Sequence, residues 1–127
     1  MIRSEILPLI PSSVGVPMKT LFWGQLPDDV ANCIAFFEYL GEPPARAKDG
    51  MHYTYHALQV TVRDVNYDTA MNKAVAIFNI LGDAGANVLG QYDYIRARQY
   101  PFADPSGKDE NGRFRVLCNY TAKRRTT

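Results

Sequence analysis

The sequence lacks the features that mark secreted proteins, membrane proteins and strongly basic nucleic-acid-binding proteins. Fourteen basic residues stand against thirteen acidic ones among 127, so the net charge is only +1 and gives no general attraction to DNA or to a membrane surface. No apolar run approaches the roughly 20 residues of a transmembrane helix. Prolines interrupt the N-terminus where a signal peptide would need an apolar segment. We therefore expect a single domain, residues 1–127, that is made in the cytoplasm and binds no membrane.

Residues that carry chemistry are also few. Cys33 and Cys118 lie in apolar runs without metal-ligand spacing, which favours buried free thiols over a disulfide. His52 and His56 are four residues apart with Asp49 nearby, but no third ligand has suitable spacing. Neither histidine has a serine or cysteine partner in a recognisable nucleophile motif, and the glycines after residue 81 form no phosphate loop. The sequence thus predicts no catalytic residue, no metal, no cofactor and no enzymatic activity.

The clearest pattern that is present runs from Ala57 to Gly82. Leu58, Val60 and Val62 alternate with Gln59, Thr61 and Arg63, which is typical of a half-buried strand. Helical spacing follows, with apolar residues at positions 70, 74, 77 and 81 and a second row at 71, 75 and 78. Asn66 suits the N-cap and Gly82 the C-terminal stop. The pattern predicts a strand that leads directly into a helix at about 67–81.

Four further stretches indicate strands. They are 20–26 (TLFWGQL), 31–40 (ANCIAFFEYL), 92–100 (YDYIRARQY) and 113–122 (RFRVLCNYTA). The second is apolar at odd and even positions alike, which favours a central strand covered on both sides. Boundary signals at Pro27–Asp29 and Gly41 leave a helix as its alternative. Long loops lie at 41–56 and 101–112, and we expect the last two strands to pair antiparallel.

These elements predict an α+β fold. It is a two-layer sandwich, in which a mixed, mostly antiparallel sheet of four to five strands is covered by the main helix at about 67–81. The N-terminal segment, residues 1–20, has no clear pattern beyond a second, short helical segment limited by Pro8 and Pro11. Residues 21–122 form the core. The basic tail, residues 123–127, is expected to fray.

One helix cannot cover both faces of such a sheet, so we expect one face to be wet or to meet a partner. That face is predicted to carry Arg63, Tyr92, Tyr94, Arg96, Arg98 and Tyr100. Tyrosine and arginine are enriched in protein–protein interfaces, and the same residue types also stack bases and hold phosphates. A solvated strand face is the third interpretation. We favour the protein interface and keep a small nucleic-acid-binding α+β module, using this Tyr/Arg face, as the alternative function.

The order of motifs resembles the tail terminator proteins of long-tailed, siphovirus-like bacteriophages, often called minor capsid proteins. An aromatic strand ends in proline (LFWGQLP), and a hydrophobic strand leads to Gly-x-Pro-Pro (GEPP). A strand then ends in VRDVNYDTA before a helix, and a tyrosine-rich strand ends in proline (YDYIRARQYP). An Asp/Gly loop and a final strand (GRFRVLCNYTA) follow. The resemblance runs from about Leu21 to Ala122, and the N-terminal prolines depart from it, since the family's usual helix would be broken there.

The resemblance implies a non-enzymatic structural protein of the virion, located in the tail at the head–tail neck. Such proteins assemble into a ring, usually a hexamer. The ring caps the tail tube, ends its polymerisation and offers the surface for head attachment. The implied partners are further copies of the chain, the tail tube protein and a head-completion or connector protein. Genomic DNA would pass through the ring without sequence-specific binding.

A ring subunit needs two different lateral surfaces and contacts at both axial ends. We predict a subunit or partner interface formed by Arg63, Asp64, Tyr67, Asp68, Tyr92, Tyr94, Arg96, Arg98 and Tyr100. Its arginines are expected to pair with acids such as Asp64, Asp68 or Asp93, because a guanidinium suits such pairs better than an ammonium. The predicted axial loop contacts are Pro43, Pro44, Arg46, Lys48, Lys108, Asp109 and Glu110. The basic tail with Lys123, Arg124 and Arg125 is a further candidate for contact with protein or DNA.

Overall fold

Seven strands and one α-helix make up the described part of the computed structural model, which covers residues 15–39, 45–46, 52–81, 92–105 and 107–126. The strands are β1 (Leu21–Trp23), β2 (Cys33–Tyr39), β3 (Ala45–Arg46), β4 (His52–Asp64), β5 (Tyr92–Ala97), β6 (Phe102–Ala103) and β7 (Phe114–Thr126). The helix α1 spans Tyr67–Leu81, and a 3-10 turn at Met18–Thr20 precedes β1.

The strands form one mixed sheet whose main path runs β1-β2-β4-β7-β5. β1 pairs parallel with β2, and the other pairs, including the short β3 with β4 and β6 with β7, are antiparallel. At the centre, β4 and β7 pair along all 13 residues of each strand, from His52 opposite Thr126 to Asp64 opposite Phe114. The predicted α+β class with a mixed, mostly antiparallel sheet is confirmed.

The helix occupies the predicted residues. Its N-cap is Asn66, whose Oδ1 accepts a hydrogen bond from the Thr69 amide at 3.1 Å and so satisfies one of the open donors of the first turn. Ala70, Ala74, Ile77 and Leu81 are its buried residues, which is the first predicted apolar row. The row at 71, 75 and 78 is half-buried beside it.

The core lies between this helix and the face of the sheet that it covers. Leu58, Val60 and Val62 of β4 point into it as the alternation predicts. Register places their partners from the neighbouring strands on the same side, among them Ile34, Phe36, Val116, Cys118 and Tyr120. The ring of Trp23 stacks on Phe36 with 5.6 Å between the centroids. β2 is therefore a central strand, and the helical alternative for residues 31–40 is wrong.

Two strand boundaries extend beyond the sequence prediction. β4 begins at His52, within the predicted 41–56 loop, and β7 continues through the tail to Thr126. The reason is that the two extensions pair with each other, Tyr55 opposite Lys123 and Tyr53 opposite Arg125. The β7 extension, Lys123–Thr126, is polar throughout, so only its partner strand reveals the pairing.

Two other predicted strands end early. β1 stops at Trp23 because Gly24 has φ +79°, a left-handed conformation that breaks a strand and favours glycine. β5 stops at Ala97, although the Arg98 amide still donates to the Asn119 carbonyl at 2.8 Å. The predicted helical segment within residues 1–14, the GEPP motif at 41–44 and the stop at Gly82 lie outside the described residues.

Candidate functional site

The sheet face opposite the helix, called the outer face below, is the first candidate surface. Register assigns to it Ala35, Phe37, Gln59, Thr61, Arg63, Arg96, Phe102, Leu117, Asn119 and Thr121. Gln59 Nε2 donates to Asn119 Oδ1 at 3.2 Å across the two central strands. Phe102 at the edge is 37% exposed. The outer face thus has mostly small and polar side chains at its centre, with the half-buried Leu117 among them, and an exposed aromatic ring at its edge.

The predicted Tyr/Arg residues do not all share this face. Arg96 lies on it and is exposed, while Arg98 is exposed just beyond the end of β5. Tyr92 and Tyr94 lie in β5, whose backbone alone is described at these positions. Tyr100 departs from the predicted face, because its ring packs against Phe78 of the helix with 5.1 Å between centroids, and it remains 60% exposed.

Arg63 lies on the predicted face but is buried, with only 2% of its surface exposed. Its Nη2 donates to the carbonyl oxygens of Pro27 and Val30, the latter at 2.6 Å. It therefore fastens the turn between β1 and β2 onto the end of β4. Burial raises the pKa of the neighbouring Cys33 thiol, and the Arg63 charge opposes that rise only in part. Cys33 and Cys118 are both buried and free, as predicted.

Asp64, also predicted at the interface, is buried and pairs within the subunit. Its Oδ2 accepts from Lys73 Nζ at 3.1 Å, and its Oδ1 accepts from the Asn66 amide at 2.9 Å. The expected pairing of Asp64 with an arginine is thus replaced by one with a helix lysine. Lys73 was missed because it lies on the predicted polar side of the helix, and only the fold-back of α1 onto β4 brings it near.

Tyr67 and Asp68, at the start of the helix, are exposed as an interface requires. Tyr67 is 38% exposed, and its ring meets Phe114 edge-on with 5.5 Å between centroids. Lys108 Nζ lies 5.0 Å from the centroid of the same Phe114 ring, a cation–π distance. Val65 beside them is 54% exposed. The strand–helix junction therefore presents a mixed apolar and charged surface.

The loop from Asp104 to Arg113 is organised by Asp109. Asp109 Oδ1 accepts from the Arg113 and Asn111 amides at 2.9 Å each, and Oδ2 accepts from Arg113 Nε at 2.7 Å. The backbone hydrogen bond from Arg113 is the main reason that the pKa of Asp109 is lowered. Lys108 and Glu110, its neighbours, are exposed. Three residues of this loop were predicted as axial contacts. One of them, Asp109, uses its carboxylate for hydrogen bonds within the chain.

Arg113 and Arg115 are functional candidates that sequence reasoning missed. Arg113 is 5% exposed and its Nη1 donates to the Asp28 carbonyl at 2.7 Å. Arg115 Nη2 lies 3.0 Å from Asp104 Oδ2. Both arginines alternate with the apolar residues Phe114 and Val116. This period of two is the sequence signal that would have placed them on the sheet face that also carries Arg63.

The three arginines line a cleft of about 580 Å³ between the β1–β2 turn and the 104–113 loop. Its other lining residues are Leu26, Asp28, Lys108, Asp109, Glu110 and Asn111. Guanidinium groups bind oxyanions through paired N–H donors. Arg113 and Arg115 are paired here with Asp109 and Asp104, so the cleft combines guanidinium groups with carboxylates.

The remaining predicted contacts are only partly described. Pro43, Pro44 and Lys48 lie outside the described residues, and Arg46 is described by its backbone, which pairs with His52. Lys123 is half-buried in β7 opposite Tyr55, and Arg124 and Arg125 continue that strand. The basic residues at the C-terminus thus extend the sheet, where the sequence suggested a frayed tail.

The histidines show no metal-binding arrangement in the described part of the chain. His56 Nδ1 lies 2.9 Å from Glu38 Oε1, and the His52 side chain is not described. No group of three or more His, Cys, Asp or Glu among the described residues is placed to hold a metal ion. None of the described helices is long and apolar enough to cross a membrane.

Comparison with known proteins identifies the family. Residues 9–126 match the family described as bacteriophage tail terminator protein. No curated protein sequence matches. Among solved structures, a chain of the virion of a native gene transfer agent particle superposes with a TM-score of 0.59 at 14% identity, covering 98% of this chain and 89% of that one. This likeness concerns the fold. The family match spans nearly the whole chain, and the chain therefore belongs to the bacteriophage tail terminator family, a family of structural phage tail proteins.

Proposed function

We propose that the protein forms a ring on the end of the tail tube, ends tube polymerisation and presents the surface to which the filled head attaches. The family match over residues 9–126 carries the proposal. Because the ring is a part of the finished particle, the protein is a virion component of the neck between tail and head. Its partners in this role are further copies of itself, the tail tube protein and a head-side connector, and six copies is the expected ring size.

The geometry of the surface supports a binding role over a catalytic one. The described charged side chains that are buried, namely Arg63, Asp64 and Arg113, are used to fasten turns and the helix. The exposed side chains at the junction and on the outer face combine aromatic and charged types, which is the composition of protein interfaces. In the proposed function the protein has no enzymatic activity, and it does not recognise the sequence of the DNA that passes through the ring.

The alternative nucleic-acid-binding module has less support. It depends on a continuous Tyr/Arg face, but Arg63 donates to carbonyl oxygens in the interior and Tyr100 packs on the helix. Among the residues of that face whose side chains are described, Arg96 and Arg98 remain as exposed cations. Two exposed arginines on a chain of net charge +1 form a weak footprint for a phosphate backbone.

Deletion of the gene from its phage or phage-like particle tests the proposal directly. Electron micrographs of the mutant lysate should show tails of irregular, extended length and filled heads without tails. Supplying the wild-type chain in trans should restore tails of uniform length and joined particles. Uniform tails joined to heads in the deletion mutant would refute the proposed function.

A further inference from the structure

The sheet ends in two edges that differ in composition. One edge is β1, and because β1 stops at Trp23, the end of β2 at Phe37–Tyr39 completes it. This is called the aromatic edge below. The other edge consists of β5 and β6, which pair one after the other with β7, and its span from Ile95 to Ala103 is called the arginine edge. Among the described residues, no further strand pairs with either edge.

The residues of the two edges can be compared by their height along the strands. Two edge residues have the same height when the register connects them through the same partners in β4 and β7. Three pairs on the outer face match in this way, namely Arg96 with Tyr39, Arg98 with Phe37, and Phe102 with Phe22. Tyr39 is 41% exposed, and the two arginines are exposed as well. A cation or a ring on one edge thus has a ring at its height on the other.

The backbone of the aromatic edge has groups that point away from the sheet. The Gly24 amide donates to the Phe36 carbonyl at 2.7 Å, so the backbone groups of Phe36 point toward β1. Successive residues of a strand direct these groups to opposite sides, and Glu38, two residues after Phe36, therefore directs them the same way. β1 has already ended at this height. The amide and carbonyl of Glu38 are open to a partner strand.

The arginine edge has the matching open groups. The Arg98 amide donates to the Asn119 carbonyl of β7 at 2.8 Å, so the backbone groups of the preceding residue, Ala97, point away from β7. Ala97 and Glu38 have the same height in the register. β5 is antiparallel to β7, β7 to β4 and β4 to β2, so β5 and β2 run in opposite directions. The two edges are thus oriented for antiparallel pairing.

We propose that the arginine edge of one copy pairs antiparallel with the aromatic edge of the next, so that the sheet continues from subunit to subunit. Ala97 of one copy and Glu38 of the next exchange backbone hydrogen bonds. On either side of this pair, Arg96 lies against Tyr39 and Arg98 against Phe37, at distances that suit cation–π contacts. The occupant of each edge is a second copy of this chain, and that choice rests on the proposed ring function.

The composition of the edges favours this head-to-tail contact over pairing of like edges. The arginine edge contains two arginines and no acid, whereas the aromatic edge contains Glu38 and no base. Two arginine edges in contact would bring Arg96 and Arg98 of both copies together, and like charges across paired strands are destabilising. A contact between two different edges is heterologous, and a ring is built from such contacts.

A bulge in the arginine edge adds selectivity. Between Arg98 and Phe102 the edge holds two more residues than β7 does opposite them, and Tyr100 protrudes there with 60% of its surface exposed. A bulge of this kind hinders the addition of an arbitrary strand. The Tyr100 ring lies on the helix side against Phe78. Trp23 lies on the same side of the aromatic edge at the intermediate height, so the next copy places a half-buried ring where Tyr100 protrudes.

An engineered disulfide in assembled particles tests the register. R96C and Y39C change two exposed side chains. Within one chain β4 and β7 lie between these positions, a separation of about 14 Å, whereas a disulfide needs Cα atoms within about 7 Å. A disulfide between them therefore joins two copies. The double variant is supplied together with the wild-type chain to the deletion mutant, and purified particles are oxidised briefly and analysed on non-reducing gels.

The combination of R96C with Y39C should give dimers and larger multimers of this chain that disappear on reduction. In the matched control, R96C with E38C, the second cysteine points to the other face of the sheet, so the multimers should be lost. The native Cys33 and Cys118 are buried, and neither single variant should cross-link to itself. Particles that contain R96C with Y39C but show no multimers would overturn the edge contact. Equal cross-linking by both combinations would overturn the proposed register.

A proline at position 97 tests the backbone pairing independently. Because the Ala97 amide points away from β7, A97P removes no hydrogen bond of the subunit's own sheet, and proline is tolerated at such edge positions. It does remove the donor offered to the next copy. A97S keeps that donor and is the matched control. We expect A97P to have the circular dichroism spectrum of the wild type but to lose the ability to restore joined particles, which A97S retains. Equal restoration by both variants would contradict the backbone pairing.

The deletion mutant separates this contact from the proposed function. If the wild-type chain restores uniform, joined tails while the disulfide does not form, the edge contact is refuted and the terminator function stands. If the wild-type chain itself fails to complement the deletion, the result counts against the function. Should A97P fail to fold, the comparison of the two cysteine combinations still decides the edge contact.

Discussion

Arg63 shows how far a single residue can be predicted. The alternation of β4 correctly assigned it to the side away from the core, next to Gln59 and Thr61, but not its burial. Its two carbonyl partners, Pro27 and Val30, lie more than 30 residues earlier, and no local pattern connects them. Arg63 is therefore not part of an exposed sheet face, and its only contact with the surface is the cleft that it lines.

Replacing Arg63 should lower the stability of the protein more than replacing an exposed arginine does. R63A leaves two carbonyl oxygens without their donor and removes the packing of a long aliphatic stem, a loss of about 2–4 kcal/mol in the free energy of unfolding. Urea denaturation followed by circular dichroism measures it. R98A, which removes an exposed arginine, is the control and should change stability by no more than about 0.5 kcal/mol. Equal losses for both variants would contradict the fastening role of Arg63.

The carboxyl group of Asp109 makes the stability of the protein depend on pH. Hydrogen bonds from Arg113 and Asn111 lower the pKa of its carboxyl group in the folded state. The folded state thus binds this proton less readily than the unfolded state, whose aspartates titrate near about 3.9. The resulting stabilisation is present above that pH and is lost as pH falls through the folded-state pKa.

The variant D109N removes this contribution. It should be less stable than the wild type at pH 7, and the difference should shrink as the pH is lowered from about 4 toward 2.5. Urea unfolding curves at several pH values for both proteins check the trend. A difference that stays constant down to pH 2.5 would show that the carboxylate charge is not responsible.

At the scale of elements, the helix was the most predictable part of the fold. Its apolar rows, its Asn66 cap and its neighbouring strand are all local in sequence, and the structure matches them residue by residue. The boundaries of β4 and β7 were not predictable in the same way. Their added residues, His52–Tyr55 and Lys123–Thr126, pair with each other and with residues of β3 and β5. A polar, basic segment such as Lys123–Thr126 has no hydrophobic pattern that indicates its partner strand.

The cap of α1 should be measurable separately from the core. In N66A the Thr69 amide loses its acceptor, so the free energy of unfolding should fall by about 1 kcal/mol. Asn72 lies on the exposed side of the same helix, and N72A should be neutral or slightly stabilising because alanine has the higher helix propensity. Thermal and urea unfolding of the two variants compare them. A loss in N72A as large as in N66A would argue against capping as the cause.

At the scale of the whole molecule, the sequence predicted which residue types form the candidate site better than it predicted where they lie. The sequence indicated that one helix would leave a sheet face open, and Arg96 and Phe102 are on that face. Which arginines are exposed depends on where loops cross the sheet. The β1–β2 turn and the 104–113 loop cover the corner with Arg63 and Arg113 and leave Arg96 uncovered.

Arg96 therefore provides the sharpest test of the outer face as an assembly surface. R96E reverses a charge on an exposed side chain, and urea denaturation compares its free energy of unfolding with that of R96K. A reversed charge within an interface costs well over the roughly 1.4 kcal/mol that corresponds to a tenfold loss of affinity. We expect R96E to fold normally yet to fail in restoring uniform tails to the deletion mutant, while R96K, which keeps the charge, restores most of them. Full complementation by R96E, at a protein level matched to the wild type, would move the interface away from this face and leave the strand–helix junction around Tyr67 and Asp68 as the surface to mutate.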